Sequence, residues 1–500
     1  SGTPRNDKVF PITMQVTSLD IKEVGVIEEV KRGIIRISGL PNCLFGEEFE
    51  VSGLKGMVIE FNPYAAMGIV FGDENKLRVG DTVYSRNKLM EVPVGENFIG
   101  RIIDSLGAPI DGQGEIRPAA ISLVFRPAAG VMEREPIDQP LLTGTKIVDM
   151  LIPLGKGQRE LIVGDRQIGK TSLALDAIIN QKGKDVICIY CWIGGSNIAF
   201  QKVVQALQAN GAMEYTLCVY ASGGSSSAQQ YIAPYTAAAL GEYFMYNGKD
   251  VLVVFDDLTK HAWIYRQMSL LLERAPGREA YPGDIFFLHS QLMERAGRLK
   301  AKFGGGTMTF LPIAEAQAGD ITGYIPSNLI SMTDGQLYFN TGLFQEGFKP
   351  AIDLELSVSR IGSRVQYPAT RELSAGLRYV YVQYRSLLRL TRLRTKLSAE
   401  ASQQLARGRA LYELLIQENG SPLSLAGQIV LFYAFERKIL ETVNIEQAKL
   451  FIREFFDFLS GRNPGLVESI NKSGELTDEI KAGLDRSISE FFRRVKPGVK

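Results

Sequence analysis

The sequence lacks several features that would identify a specialised class of protein. Its 500 residues include four cysteines, too few for a disulfide framework, and free thiols fit a reducing compartment. Its 56 Lys and Arg residues nearly cancel the 55 Asp and Glu residues, which argues against a dedicated nucleic-acid binder. No run of eighteen apolar residues occurs, so no segment is expected to span a membrane. The first residues do not resemble a signal peptide.

Two of the cysteines, Cys188 and Cys191, have the spacing of a C-x-x-C motif. They lie within the apolar run of residues 186–193, which is typical of a buried strand. Side chains alternate along a strand, so these two thiols would face opposite sides of the sheet. The pattern therefore favours packing over a redox or zinc site.

Patterns along the chain predict a multidomain protein with three folded regions after a tail of residues 1–22. Short alternating runs punctuated by Gly, Asn, Asp and Pro predict a small β-barrel over residues 23–91. Strand and helix patterns alternate over residues 92–366 and predict an α/β domain with a largely parallel sheet. Strand signals vanish over residues 367–500, where long helical patterns such as 373–416, 424–442 and 445–459 predict a helical bundle.

The most informative stretch is Gly164 to Thr171, which reads GDRQIGKT. Two glycines separated by four residues, then Lys and Thr, form the phosphate-loop pattern. The run of residues 160–163 before it predicts a buried strand, and residues 172–181 after it predict a helix. This context favours a triphosphate site over a chance glycine-rich turn.

The phosphate loop predicts a role for most of its residues. Its glycines allow backbone N–H groups to surround phosphates, and the start of the helix adds partial positive charge. Lys170 would reach the outer phosphates, and the Thr171 hydroxyl would hold Mg²⁺. The predicted nucleotide-binding residues in this stretch are Gly164, Asp165, Arg166, Gln167, Ile168, Gly169, Lys170, Thr171 and Ser172.

A second apolar run, residues 251–255, leads directly into Asp256 and Asp257. A carboxylate at the carboxyl end of a buried strand can orient the water shell of Mg²⁺, so we predict Asp256 as a metal residue beside Thr171. The alternative is a helix-capping Asp, because residues 260–272 have a helical pattern.

A carboxylate that could activate water is missing where it would be expected. Hydrolysis needs a group that polarises the attacking water near the terminal phosphate. The predicted strand that ends at Ile193 is followed by residues 194–197, GGSN, and no acid occurs before Glu214. The pattern therefore predicts a site that holds a nucleotide and is poorly equipped to cleave it.

Longer motifs make the chain, from about residue 23 to its end, resemble the α subunits of the F1 sector of F-type ATP synthases. The Asp-Arg-Gln type of phosphate loop, and residues 324–326 followed by 333–335, are similar to the α rather than the β pattern. The remaining motifs are Tyr265 to Leu270, Pro276 to Asp284, Gln317 to Asp320 and Ser357 to Gly362.

The resemblance implies a RecA-like central domain and a non-catalytic subunit that holds Mg-ATP in a ring of three α and three β chains. It implies that Lys349, Pro350 and Gln417 contact adenine, and that Arg360 reaches the neighbouring β site as an arginine finger. It further implies a rotating central stalk, a peripheral stalk, and ATP synthesis or hydrolysis coupled to proton transport. The location would be the reducing aqueous side of an energy-coupling membrane: a bacterial cytoplasmic face, a mitochondrial matrix or a chloroplast stroma. The protein would meet that membrane only through the assembled complex, and no nucleic-acid partner is expected.

The chain departs from this family pattern at four places. Gly195 stands where α subunits usually have Gln, and Lys349 stands where Arg is usual. The usual amino-terminal helix that docks the peripheral stalk is not evident in residues 1–20, which contain Pro4 and Pro11. A basic run replaces the usual acidic residues of the loop facing the rotor. Its members are Arg385, Arg389, Arg392, Arg394 and Lys396, with Glu400 as the nearby acid.

These departures leave alternatives open. The basic run is either a solvated helix face or the contact for a changed, acidic partner. The protein as a whole could serve a divergent F1-like motor with another task. A hexameric RNA translocase or an export ATPase is a remote alternative, since it would need a carboxylate near residue 195 and a basic pore.

Overall fold

A computed structural model describes residues 23–391 and 398–495. Its internal contacts divide the chain into two compact units, residues 1–89 and residues 90–500. The predicted tail of residues 1–22 lies outside the described residues, as do Arg392, Arg394 and Lys396 of the basic run.

Six described strands of the first unit close into an antiparallel barrel in the order β1-β2-β5-β4-β3-β6. Phe49 fills its interior, and a Cβ atom added to Gly56 or Gly68 would lie within 2.5 Å of the Phe49 ring. Glycine at these two positions therefore makes room for the ring inside a narrow barrel. The strands are β1 (Val24–Lys31), β2 (Ile34–Ser38), β3 (Glu47–Val51), β4 (Leu54–Phe61), β5 (Ala66–Phe71) and β6 (Thr82–Leu89).

The second unit is built on a sheet of nine described strands. Their order is β17-β16-β10-β15-β13-β11-β12-β8, with β14 paired to β15. A separate pair is formed by β7 and β9. The strands are β7 (Glu91–Val94), β8 (Ile102–Asp104), β9 (Ala120–Leu123), β10 (Leu161–Gly164), β11 (Val186–Ile193), β12 (Thr216–Ala221), β13 (Asp250–Asp256), β14 (Gly297–Arg298), β15 (Thr307–Glu315), β16 (Gly335–Phe339) and β17 (Val358–Ser359).

Seven of the sheet strands, from β16 to β8 along the sheet order, pair in parallel, whereas β17 and β14 pair antiparallel to their neighbours. The central strands are buried on both faces, which explains their nearly continuous apolar runs. Helices cover them: α1 (Lys146–Leu151), α2 (Lys170–Ile179), α3 (Asn197–Ala209), α4 (Ser227–Tyr246), α5 (Leu258–Leu271), α6 (Ile285–Met293), α7 (Tyr324–Met332) and α8 (Thr341–Gln345).

The carboxyl-terminal region is helical, as predicted, and its apolar core is continuous with that of the α/β region. The predicted helical stretch of residues 373–416 is interrupted, because Gly376 takes φ +80° and ends α9. The stretch of residues 424–442 is likewise divided where Lys438 takes φ +58°. The helices are α9 (Pro368–Ser374), α10 (Leu377–Thr391), α11 (Ala399–Leu415), α12 (Leu425–Glu436), α13 (Ile439–Thr442), α14 (Ile445–Arg462), α15 (Pro464–Ser473) and α16 (Asp478–Val495).

Candidate nucleotide-binding site

The phosphate loop connects β10 to α2 at the carboxyl edge of the sheet. Gly164 takes φ +158° and Gly169 takes φ +100°, so both glycines allow backbone turns that side chains disfavour. A Cβ atom added to Gly164 would also lie 2.6 Å from the Phe339 carbonyl oxygen. The backbone therefore requires glycine at both ends of the loop, as the motif predicts.

Lys170 begins α2 and turns its ammonium back over the loop. Its Nζ donates to the Gly164 carbonyl oxygen at 2.7 Å and to that of Asp165. The side chain is buried, and burial lowers the pKa of Lys170. This cation lies where the loop wraps around its contents, which suits an anionic ligand.

Asp165 and Arg166 support the loop from its outer side. The Asp165 carboxylate accepts from the Gly319 N–H at 2.8 Å and from the Thr341 hydroxyl at 2.6 Å. Arg166 is exposed at the rim, where its Nε donates to Glu315 at 2.7 Å. Asp165 therefore anchors the loop to neighbouring segments, a role that the motif alone does not indicate.

Asp256 ends β13 beside the loop. Its Oδ2 accepts from the Thr171 hydroxyl at 2.8 Å and from the Tyr190 hydroxyl at 2.7 Å. The neighbouring Asp257, and not Asp256, caps α5, because its Oδ1 accepts from the Lys260 N–H at 2.8 Å. The helix-capping alternative for Asp256 is thus wrong, and its carboxylate is directed toward the phosphate loop.

A cleft of about 620 Å³ opens over the loop. Three charged residues that line it were not among the predicted site residues: Asp257, Lys260 and Glu315. Lys260 forms an ion pair with Asp257 and lies 4.0 Å from Glu315. Burial raises the pKa of Asp257 to about 6, whereas the Lys260 pKa, which burial alone would lower, is raised by Asp257. Each of these carboxylates therefore already faces a cation.

Glu315 could have been found by the reasoning that identified Asp256, since it also ends a buried strand. Its Cα is paired with that of Gly164 across the two parallel strands β15 and β10. A carboxylate at the carboxyl end of a strand next to the phosphate-loop strand is the signal.

Gly195 also lines the cleft, and its missing side chain is explained by Trp192. A Cβ atom added to Gly195 would lie 2.2 Å from Cζ2 of the indole and 2.5 Å from its Cε2. The indole therefore occupies the space that a larger residue at position 195 would need. The sequence shows the glycine but not the ring that requires it.

A second, narrow cavity of about 20 Å³ adjoins the loop at Gly169. It brings together Lys349, Pro350 and Gln417, which the sequence separates widely. The Lys349 ammonium lies 5.1 Å from the centre of the Phe344 ring, on the exposed side of this cavity. The wall of this cavity includes the apolar side chains of Ile168, Leu173 and Phe344, which would suit the planar base of a nucleotide.

The Gln417 side chain is already engaged within the protein. Its Nε2 donates to the carbonyl oxygens of Gly144 and Ser421, both at 2.8 Å. Its Oε1 accepts from the Lys146 N–H at 2.9 Å, and its own N–H donates to the Lys349 carbonyl at 2.8 Å. Gln417 therefore shapes the cavity by holding its walls together.

Arg360 lies far from the phosphate loop of its own chain. It follows β17, whose Ser359 is paired with Gly335 at the start of β16, whereas Gly164 is paired with Phe339 at the end of that strand. Four residues of strand correspond to about 13 Å, so Arg360 lies at the opposite end of the sheet strands. The structure does not bring Arg360 together with the other predicted site residues.

The backbone of Arg360 is held firmly while its side chain is exposed. Its N–H donates to the Asp334 carbonyl oxygen at 2.8 Å, and its Nη2 donates to that of Ile330 at 3.3 Å. The Asp334 carboxylate accepts from Arg159 Nε at 3.0 Å and from Nη2 at 2.7 Å. This ion pair fixes the segment from which Arg360 projects.

The described part of the basic run shows two different situations. Arg385 donates to Glu346 at 2.7 Å, so this member is satisfied within the protein. Arg389 is exposed on α10.

Three family models match the protein. They are the ATP synthase alpha/beta family beta-barrel domain over residues 20–87, the nucleotide-binding domain of that family over residues 144–359, and the C-terminal domain of the ATP synthase alpha/beta family over residues 366–491. Together they cover most of the sequence in the order barrel, nucleotide-binding domain and helical domain. The predicted fold class is confirmed.

Curated relatives match over nearly the whole length. The protein is 44% identical over 478 residues to the ATP synthase subunit alpha of Petrotoga mobilis, covering 95% of each sequence. It is 43% identical over 476 residues to the ATP synthase subunit alpha of Clostridium botulinum strain Hall, covering 95% of this sequence and 94% of that one. The chain belongs to the ATP synthase alpha/beta family, as one of its α subunits. The resemblance found in the sequence motifs is confirmed, and with it a place in an ATPase complex that contains β subunits.

No helix within residues 23–391 and 398–495 has the length and apolar character needed to cross a membrane. All four cysteines are buried and carry free thiols.

Proposed function

We propose that this protein is the non-catalytic subunit of its complex: it holds Mg-ATP in its own cleft and supplies Arg360 to the neighbouring β site. The observation that carries the first part is the hydrogen bond of the Thr171 hydroxyl to Asp256, beside the buried Lys170 cation, in a cleft where position 195 has no side chain. These groups suit the binding of a triphosphate and Mg²⁺.

The oxygen donors in the cleft fit magnesium. The Thr171 hydroxyl and the Asp256 carboxylate are hard oxygen ligands 2.8 Å apart. Among the described residues, no group of three His, Cys, Asp or Glu side chains is arranged to hold a metal alone. Mg²⁺ suits such a site because it takes one or two protein oxygens and completes its shell with water and phosphate. When bound, the ion would neutralise charge on the outer phosphates.

Retention of ATP without cleavage is supported by the state of the nearby carboxylates. Asp257 forms an ion pair with Lys260, and Glu315 forms one with Arg166. The Asp257 oxygens already accept from the Lys260 N–H and ammonium, and Glu315 accepts from Arg166, so these oxygens are occupied within the protein. Gly195 has no side chain to orient water. The cavity bordered by Lys349, Pro350 and Gln417 would receive the adenine.

The exposure of Arg360 and its distance from its own phosphate loop support a role in a neighbouring subunit. A guanidinium presents a rigid fork of donors to charge that develops on a transferred phosphoryl group. We place the protein in an alternating ring of three α and three β chains around a central stalk. The complex would couple ATP synthesis or hydrolysis to proton transport at the reducing aqueous side of an energy-coupling membrane.

The nucleotide part is tested by measuring what the purified complex retains. Wild-type complex should release ATP and magnesium in equal amounts from the α sites on acid extraction. Lys170→Gln should weaken nucleotide affinity by about 10- to 100-fold, the value of one or two charge-assisted hydrogen bonds. Lys472→Gln, on the exposed face of α15, is the matched control. Full retention by Lys170→Gln would contradict the proposal.

The Arg360 part needs a separate readout. Arg360→Lys should reduce the ATPase turnover of the assembled complex by about 10³-fold or more, while nucleotide retention by the α sites stays unchanged. Arg364→Lys, an exposed arginine on the next turn, is the control. Wild-type turnover in the Arg360→Lys complex would contradict a finger role and leave the nucleotide-holding role intact.

A further inference from the structure

The indole of Trp192 is a buried polar group that the site described above does not use. Trp192 is 6% exposed, and its Nε1 has no hydrogen-bond partner among the described residues. An indole N–H can only donate, and leaving a buried donor unpaired is unfavourable. This N–H is therefore in place for an acceptor that is not part of the protein.

The position of Trp192 indicates what that acceptor is. Trp192 lies near the end of β11, and its Cα is paired with that of Asp256 on the adjacent strand β13. Asp256 is the residue that binds the Thr171 hydroxyl, at 2.8 Å. The Cα atoms of Trp192 and Asp256 are thus one strand spacing apart, about 4.8 Å, and Trp192 lines the same cleft as Asp256.

The ring is held in place by aromatic neighbours. The Tyr190 ring stacks at 6.4 Å between centroids, and the Phe200 ring lies at 5.8 Å. Gly195 provides the space for the indole, since a Cβ atom there would lie 2.9 Å from Nε1. The Lys260 ammonium lies 5.9 Å from the ring centre, so a cation also faces this end of the cleft.

We propose that Trp192 is a specificity-determining residue whose indole N–H donates to the terminal phosphate of a bound nucleoside triphosphate. This inference rests on the proposed nucleotide site. A diphosphate lacks the acceptor and leaves the N–H unpaired, so the site prefers triphosphate. An indole cannot accept a proton from water, so the same residue recognises the terminal phosphate without promoting its hydrolysis.

The test compares ATP with ADP on the full-length protein. Trp192→Phe keeps an aromatic ring and removes the N–H. Trp263→Phe is the matched control, because this ring lies beside Arg166 in a separate cavity on the outer side of the loop. Equilibrium dialysis with Mg-ATP and Mg-ADP gives both dissociation constants. We expect Trp192→Phe to lose about tenfold in ATP-over-ADP preference, with ADP affinity nearly unchanged, and Trp263→Phe to keep the wild-type preference.

An unchanged preference in Trp192→Phe would overturn the inference while leaving nucleotide binding itself established. Failure of the wild-type protein to bind either nucleotide would instead overturn the proposed function. If Trp192→Phe does not fold, the Trp263→Phe protein decides, because Trp192 is then its single tryptophan. Its emission should change more with Mg-ATP than with Mg-ADP, and equal spectra would overturn the inference.

Discussion

The two histidines of the protein, His261 and His289, lie against each other in the core, and we expect neither to be protonated above about pH 5. Their nearest nitrogens, His261 Nδ1 and His289 Nε2, are 3.2 Å apart. The other His261 nitrogen, Nε2, lies 2.9 Å from the Tyr231 carbonyl oxygen, which can only accept. His261 therefore carries its proton on Nε2, and His289 donates from its own Nε2 to His261 Nδ1.

This arrangement disfavours a second proton on either ring. A proton on His261 Nδ1 would face the N–H of His289, and both rings are fully buried. Burial lowers the pKa of His261 to about 4, and burial followed by the charge of His261 lowers the pKa of His289 well below its ordinary value. The rings of Tyr231 and Tyr235, which contact His261, supply no compensating charge.

The shift has a stability consequence whose sign follows from linkage. In the unfolded protein each imidazole titrates near pH 6.5, so above that pH neither state takes up the proton and the contribution of the pair is fully present. As the pH falls from 6.5 toward 4, the unfolded protein binds protons that the folded protein excludes. For His261 alone the loss reaches about 2 kcal/mol at pH 5 and about 3 kcal/mol below pH 4.

Two buried carboxyl groups act in the opposite direction. Burial raises the pKa of Asp176 and of Asp257 to about 6, so the folded protein binds protons there before the unfolded protein does. Their protonation favours the fold as the pH falls. A whole-protein melting curve therefore mixes both signs, and a direct titration of the imidazoles is the cleaner assay.

Histidine-labelled protein gives two imidazole signals, because the sequence has two histidines. We expect both NMR shifts to stay constant from pH 8 to pH 5 in the folded protein and to titrate near pH 6.5 in urea. His289→Gln assigns the remaining signal to His261. An inflection between pH 6 and 7 for either folded imidazole would refute the reasoning, because it would show that the pair accepts charge without cost.

Three further predictions concern packing and burial. Gly195→Ala should destabilise the protein by about 1–3 kcal/mol, and Gly283→Ala, in open space, should be neutral in thermal unfolding. Measured against the Trp192→Ala single variant, the added Gly195→Ala change should cost much less, because the ring that it meets is gone. Equal effects of the two glycine variants would contradict this. Glu242→Gln should cost about 3–5 kcal/mol in chemical denaturation, because Arg295, bound at 2.7 and 2.8 Å, would be left as a buried unpaired cation. The four buried thiols should resist a thiol reagent in the native protein and all react after unfolding, and rapid native labelling would contradict their burial.

Local patterns in the sequence predicted the parts of the site that lie within a short stretch of residues. The phosphate loop was predictable because glycine conformation, the Lys-Thr pair and the flanking strand and helix are neighbours in sequence. Asp256 was predictable because the end of an apolar run marks the edge of a sheet. Glu315 also stands at the end of an apolar run. Predicting it as a site residue required knowing that its strand β15 lies next to β10, which the sequence does not state.

Other features depended on segments that meet only after folding. The fit of the Trp192 ring into the space at Gly195 depends on how the chain folds back after β11 and brings residue 195 against the indole. The cavity between Gly169 and Gln417 is lined by residues from distant segments of the chain. The hydrogen bond of the Gln417 amide to Gly144 likewise forms only when those segments come together. The breaks after α9 and near Lys438 were also missed, because helical periodicity continues through them.

By itself, the sequence determined the class of each region, the phosphate loop, the strand-end carboxylate and the family, because periodicity, glycine conformation and long motifs are properties of neighbouring residues. Only the tertiary structure decided which carboxylates form ion pairs and which ring fills the space beside position 195. It also decided that Arg360 lies at the opposite end of the strands from the phosphate loop. The physical reason is that pairing, burial and sheet order arise from contacts between distant segments, and each of these sets the charge and shape of the site more strongly than local composition does.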